Sequence, residues 1–308
     1  MNPKVSVLLP TYNCAHLISD AIQSILDQTF KDFELLIVDD GSTDNTGEIV
    51  ARFSYDARLK YHLKPNTGLG DTLNFGIDLS LGEYLIRMDS DDISLPDRFD
   101  ILVNYMDLNP TIGMCGSEVA YFIENIHTEK LYYRKFPTIH EEIVDGLLNL
   151  SHAVCHPSII FRKDVVMAAG KYQMKGVGED LDFFLQMSKK GKLANINKCL
   201  YLMRMNPNSI THTRWAECYI NYQFSLHRFK NDLDVEYLED FKREFGGSFL
   251  TNLKLKYDAA SLSTYRKGIH AFTQGNMMRY YFFVLLASLY SPKRVFNRIG
   301  SKIVNMFK

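Results

Sequence analysis

Apolar positions over the first 120 or so residues alternate between short continuous runs and helical spacing. Val5-Ser6-Val7-Leu8-Leu9 reads as a buried strand closed by Pro10, and Leu35-Leu36-Ile37-Val38 as a second, ending in Asp39-Asp40-Gly41-Ser42. Leu59 to Leu63, Tyr84-Leu85-Ile86 and Ile112 to Ser117 predict three more. Ile18, Ala21, Ile22, Ile25 and Leu26 fall at i, i+3, i+4, i+7 and i+8, which is one face of a helix. Leu69, Leu73 and Ile77 predict a second helix, and Pro96 opens a third carrying Phe99, Leu102, Val103 and Met106. This βαβαβ rhythm predicts an α/β fold with a doubly wound, mostly parallel sheet.

From about Glu141 the pattern mixes helix and loop, with an apolar run at Ser158 to Phe161. Gly176-Val177-Gly178 precedes a helix bearing Leu181, Phe184, Leu185 and Ser188. From Trp215 onward helical spacing dominates, which predicts a first domain over 1–213 and a helical C-terminal extension over 214–308. Tyr280 to Leu289 is the longest strongly apolar run; it reads as a core helix and falls short of the roughly 20 residues that span a bilayer. Phe296, Ile299, Ile303 and Phe307 share one helical face, and Arg294, Arg298 and Lys302 another. Such a basic amphipathic tail suits an anionic membrane surface, with docking on protein as the alternative.

Composition narrows the class. The 46% hydrophobic and 23% charged content is that of a globular protein, and a net charge of −1 argues against a general nucleic-acid binder. The charge is uneven: Ala259 to Lys308 holds eight Lys or Arg and no acid, leaving −9 on the rest. Five scattered cysteines (Cys14, Cys115, Cys155, Cys199, Cys218) lack metal-site spacing and predict free thiols in a reducing compartment. No leader pattern precedes Val5, so the chain is expected to enter its first strand directly.

The chemistry concentrates in Met88-Asp89-Ser90-Asp91-Asp92, three carboxylates directly after an apolar strand. Open α/β sheets place their ligands at such strand ends. Carboxylates this close repel unless a cation neutralises them, and hard oxygen ligands suit Mg²⁺ or Mn²⁺. In the predicted sheet Pro10-Thr11-Tyr12-Asn13 and Asp39-Asp40-Gly41-Ser42 converge on the same edge. An aromatic ring that can stack on a base, carboxylates for ribose and a cation for a diphosphate together describe a nucleotide-diphosphate pocket. Taken singly, each segment reads equally as a solvated turn or a helix cap.

With these segments in view, the chain resembles the inverting glycosyltransferases of family 2, which have the A-type nucleotide-sugar-binding fold. The matching stretches are Val5 to Asn13, Gln28-Thr29-Phe30 with Glu34 to Thr46, Asn66 to Gly76, and Gly82 to Arg98. His156-Pro157-Ser158 and Gly178-Glu179-Asp180 with Phe183-Phe184 follow, covering about the first 210 residues in the family's order. The resemblance implies that Pro10, Tyr12 and Asp40 hold the nucleoside, commonly uridine. It implies that Asp89 and Asp91 belong to a DxD motif for ribose and metal-diphosphate, with Asp92 a further metal ligand. Asp180 matches the general base. Met203-Arg204-Met205-Asn206 stands where many relatives have Tyr-Arg-x-His, which leaves Arg204 to face the diphosphate without that histidine.

These expectations combine into a metal-dependent, inverting transfer from a nucleotide-diphospho-sugar, a UDP-sugar by resemblance, to a hydroxyl of a glycan or lipid-linked acceptor. The cofactor is Mn²⁺ or Mg²⁺. Asp180 takes the acceptor proton as a single displacement proceeds, a contribution of roughly 10²–10⁴ in rate. The expected location is cytoplasmic, peripheral on the inner face of the cell membrane, and a homo-oligomer is compatible with the sequence. The rival is a non-catalytic nucleotide-sugar-binding or scaffold subunit of a polysaccharide assembly. A sugar-1-phosphate nucleotidyltransferase would need a Gly-rich basic loop where Pro10-Thr11-Tyr12-Asn13 stands, and a phosphatase an Asp-x-Asp-x-Thr pattern absent from Asp89 to Ile93.

Overall fold

Continuous apolar runs are buried on both faces, as strands of a helix-covered parallel sheet require. In a computed structural model describing residues 2–123, 131–205, 214–247 and 277–290, with 257, 261 and 264, every residue of β1 (Val5–Thr11), β2 (Phe33–Asp39) and β4 (Tyr84–Arg87) is buried. β3 (Leu59–Leu63) is half-exposed and forms one edge of the sheet. Helices α1 (Ile18–Leu26), α2 (Thr46–Ala51) and α3 (Leu69–Leu79) connect these parallel strands. α1 buries the five apolar residues its spacing singles out.

β1 runs one residue past Pro10, where the sequence suggested a stop. Residues two apart on a strand face the same neighbour, so Pro10 points where Leu8 points, toward β4. The β1–β4 register ends at Leu8 and Arg87, so the missing N–H of Pro10 breaks no ladder.

Beyond β4 the chain forms β5 (Ile93–Ser94), α4 (Arg98–Leu108), β6 (Ile112–Phe122), β7 (Tyr132–Arg134) and α5 (His140–Leu148). It continues through β8 (Ile160–Arg162), α6 (Lys163–Ala169), α7 (Glu179–Ser188) and β9 (Lys192–Arg204). The strands form one sheet in the order β3-β2-β1-β4-β8-β6-β9-β5, with β7 on β6. β8, β5 and β7 are antiparallel to their partners, and the remaining strands share one direction. The sheet is therefore mixed and mostly parallel.

The mixture of helix and loop expected after Glu141 omits β9, thirteen residues long and the long partner of β6. Asn195, Asn197 and Lys198 interrupt its apolar run, and register shifts at Ser117–Val119 break the pairing rhythm.

The chain divides into two compact units, residues 1–207 with 225–232, and residues 208–224 with 233–308. The division falls within α8 (Trp215–Asn231); the second unit also holds α9 (Leu238–Gly247) and α10 (Met277–Tyr290). Within the first unit, Arg228 donates to Asp182 of α7 at 2.7 Å, both side chains being buried. No helix among the described residues is long and apolar enough to cross a membrane. The basic tail at 294–307 lies outside the described residues.

Candidate active site

Four strand ends are joined to one another by main-chain bonds. Asp40 N–H donates to Thr11 O at 2.9 Å, Lys64 N–H to Asp39 O at 2.9 Å, and Met88 N–H to Leu8 O at 3.1 Å. Side chains repeat the connection. Asn13, in the left-handed region at φ +50°, donates its N–H to Ser42 Oγ at 2.8 Å and accepts from Thr43 N–H at 2.8 Å. Tyr12 beside it is 52% exposed, its ring open for stacking, while Pro10 is buried.

The two acids after β2 divide their work. Asp39 is buried and accepts from Ser42 N–H and the Tyr61 hydroxyl, both at 2.7 Å, so it shapes the turn. Asp40 accepts from Lys64 Nζ and from the Thr67 and Gly68 N–H groups at 2.9 Å. Gly68 has φ +94°, a conformation that costs glycine little, which lets two successive N–H groups turn toward one carboxylate. Asp40 thus braces the loop before α3, and a nucleoside would meet it through its remaining lone pairs.

The acidic cluster sits between β4 and β5. One ligand oxygen from each of Asp89, Asp91 and Asp92 lies within 4.8 Å of the others. Both Asp89 oxygens face the buried Arg87 guanidinium, at 2.9 and 2.6 Å. Asp92 is fully buried; it accepts from the Tyr201 hydroxyl at 2.7 Å and from Arg204 N–H at 2.7 Å. Arg204 also donates from Nε to Asp91 O at 2.9 Å and lies 4.5 Å over the Phe122 ring, so it borders the cluster. That bond goes to the main-chain carbonyl, and among the described residues no side chain donates to the Asp91 carboxylate. Burial, then the charge of Asp89, pushes Asp91 up to about 6; burial with Asp91 and Asp89 pushes Asp92 well upward. Carboxylates that disfavour joint ionisation, at mutual distances a single ion can bridge, fit a divalent cation.

The start of α7 lies within electrostatic reach of Arg87 and Asp89. Gly178 takes φ +84° immediately before Glu179 and Asp180. Asp180 is half-buried, with Oδ1 accepting from Leu181 N–H at 2.9 Å. Glu179 is buried, and burial together with the Asp180 charge pushes it up to about 8, so it keeps its proton at neutral pH. Arg87 and Asp89 both lie close enough to act on Glu179 electrostatically, which brings the two acidic groups to one site. His156 Nε2 lies 2.7 Å from the Tyr172 hydroxyl, its ring set among Tyr172, Phe183 and Phe184. Burial, then Arg87, lowers its pKa well below the usual range, leaving it neutral.

Arg87, Arg98, Tyr201 and Tyr172 escape the sequence reading. Arg98 is fully buried, donates to Arg87 O at 2.8 Å and to Pro157 O at 3.0 Å, and lies 4.7 Å over the Tyr201 ring. The only available signal was two arginines flanking an acidic cluster inside apolar surroundings.

Residues 6–169 match the family described as Glycosyl transferase family 2. The chain belongs to this family. It is 31% identical over 219 residues to an uncharacterized glycosyltransferase of Rickettsia conorii, a match covering 68% of this chain and 34% of that protein. The chain thus spans about a third of the length of the first curated relatives it matches. It is 30% identical to the amylovoran biosynthesis glycosyltransferase AmsE of Erwinia amylovora, over 73% of this chain and 85% of that one. Two solved structures share the fold. S. aureus TarS residues 1–349, in complex with UDP-GlcNAc, superpose with a TM-score of 0.58 at 18% identity, over 93% of this chain and 91% of that one. A mannosyltransferase from Pyrobaculum calidifontis, in complex with GDP-Man and Mn²⁺, gives 0.55 at 15% identity, over 100% of this chain and 81% of that one. The A-type glycosyltransferase fold expected from the resemblance is the fold observed.

Proposed function

We propose that the chain is an inverting, metal-dependent glycosyltransferase. It moves a sugar from a nucleotide-diphospho-sugar, a UDP-sugar by resemblance, to a hydroxyl of a glycan or lipid-linked acceptor. The observation that carries this reading is one site holding two kinds of acid, a close Asp89–Asp91–Asp92 cluster and the Glu179–Asp180 pair. The UDP-GlcNAc complex of TarS and the GDP-Man and Mn²⁺ complex of the mannosyltransferase support it by fold.

Asp91, with Asp92 beside it, would hold Mn²⁺ or Mg²⁺, and the ion when bound would supply Lewis-acid stabilisation of the departing diphosphate. Asp89, paired with Arg87, is poised to accept from ribose hydroxyls. Tyr12 stacks on the base, with Pro10 and Asp40 shaping the nucleoside's place. Arg204, which borders the acidic cluster, would face the diphosphate. Asp180 takes the acceptor hydroxyl proton as the oxygen attacks the anomeric carbon from the face opposite the leaving group. A single displacement of that kind inverts the anomeric centre. Because Glu179 keeps its proton, Asp180 sits beside a neutral carboxyl instead of a second anion, and can receive the proton alone.

The same reading places residues 1–213 as the donor-binding domain and 214–308 as a helical extension at a membrane surface. Thermal shift against UDP-, GDP- and dTDP-sugars, each with Mn²⁺ and Mg²⁺, tests it. One donor should raise the melting temperature by mass action. That donor should be hydrolysed slowly without acceptor, and Asp91→Ala should abolish the hydrolysis. Binding without hydrolysis would favour a scaffold subunit, and no shift with any donor would refute the assignment.

A further inference from the structure

Helix α10 carries an open apolar face. Met278, Tyr281, Phe282, Leu285 and Leu289 are 59–86% exposed. At about 100° per residue they fall within one arc of roughly 100°. Ala287, on the opposite side, is fully buried, and its carbonyl accepts from Ser261 Oγ at 2.9 Å. One face of the helix is therefore packed and the other is exposed. The apolar run read from the sequence as a core helix is core on one side alone.

The geometry points to an anionic lipid surface as the occupant of this face, with α10 lying in the membrane interface. Three features select lipid over a second copy of the chain. The helix is fourteen residues long and does not span a bilayer, yet its open face is aromatic and aliphatic without a polar interruption. Its sole charge is Arg279, exposed and beside the stripe. The surrounding sequence, Ala259 to Lys308, has eight basic residues and no acid, so a copy of itself would repel while an anionic leaflet would attract. A lipid surface also deepens the proposed function, since that reading has a lipid-linked acceptor as one option.

The test is flotation of the full chain with phosphatidylcholine vesicles, with and without phosphatidylglycerol. The chain should float with the anionic vesicles. Phe282→Asp with Leu285→Asp should lower the bound fraction about tenfold at equal lipid, since two anchoring side chains become anions. Met278→Gln with Leu289→Gln should lower it less. The exposed positions leave the melting temperature unchanged. Absence of flotation, or equal flotation of the Asp variant, overturns the proposal. So does a concentration-dependent dimer, measured by light scattering, that the same variant dissociates. Donor hydrolysis, measured on the same preparations, reports on the chemistry separately, so the failure of either idea is distinguishable from the other.

Discussion

Tyr201→Phe tests the arrangement of the acidic cluster most directly. The hydroxyl donates to Asp92 Oδ2 at 2.7 Å and accepts from Asp89 N–H at 3.1 Å. Burial, with the charges of Asp92 and Asp89 added, raises the phenol's pKa and keeps it a donor. The substitution retains the ring under Arg98, 4.7 Å away, so no cavity opens and that contact persists. The bond lost to a buried carboxylate is worth roughly 1.5–3 kcal/mol. The Asp89 N–H belongs to a half-exposed residue and can find water, so its loss adds little. Expected destabilisation is therefore about 1.5–3 kcal/mol. Arg204 N–H still holds the other Asp92 oxygen at 2.7 Å, so the cluster loosens without dispersing. Loss of a group that orients a metal ligand typically lowers affinity about 10–100-fold, and Mn²⁺ binding should fall by that factor. Urea unfolding by far-UV circular dichroism reads the first effect, and Mn²⁺ titration by electron paramagnetic resonance the second. An unchanged midpoint with unchanged Mn²⁺ affinity would refute the role given to Tyr201 and weaken Asp92 as a ligand.

Asp180→Asn should lower transfer roughly 10²–10⁴-fold while leaving donor-induced thermal stabilisation intact, and a loss of donor binding instead would remove it from the role of base. Glu179, raised to about 8, holds a proton when folded that it releases when unfolded, so its contribution to stability is complete below the usual carboxylate range and is lost as pH rises to about 8. The wild-type urea midpoint should therefore fall over that window more than in Glu179→Gln; parallel curves would overturn this. Arg228→Met strands a buried Asp182 and should cost about 3–5 kcal/mol in chemical unfolding. Arg228→Met combined with Asp182→Leu should recover much of the loss, and failure to do so would mean packing dominates.

The strands that form the candidate donor edge were legible because parallel strands are apolar on both faces, as at Leu35 to Val38. The acids at their ends were legible because polar residues following a buried strand stand where ligands bind. β9 was not, since its buried Asn195 reads as polar, yet Nδ2 donates to Pro137 O at 2.7 Å and Ala153 O at 2.9 Å. Only the fold supplies those acceptors. The same holds for Arg87 and Arg98, whose burial depends on carboxylates and carbonyls brought from elsewhere. Asp40 shows a subtler gap: its position was readable, but its hold on Thr67 and Gly68 depends on a loop 27 residues away.

These cross-braces bear on how the proposed donor is met. Tyr12 is fixed by Asn13 against the loop after β2, and that loop is fixed through Asp40 to the start of α3. A methyl at Gly70 would come within 3.9 Å of Glu179 Cγ, so α3 in turn borders the α7 carboxylates. The proposed nucleoside contacts and the candidate base are therefore linked through one short loop and the first turn of one helix. Ordering these elements is accomplished by protein hydrogen bonds before a ligand arrives, so less binding energy is spent on loop ordering. The exception is the acidic cluster, where among the described residues no side chain donates to the Asp91 carboxylate, and burial followed by the neighbouring acidic charges raises Asp91 and Asp92. Strain is concentrated where a cation would relieve it, which is why metal and donor are expected to bind with positive coupling.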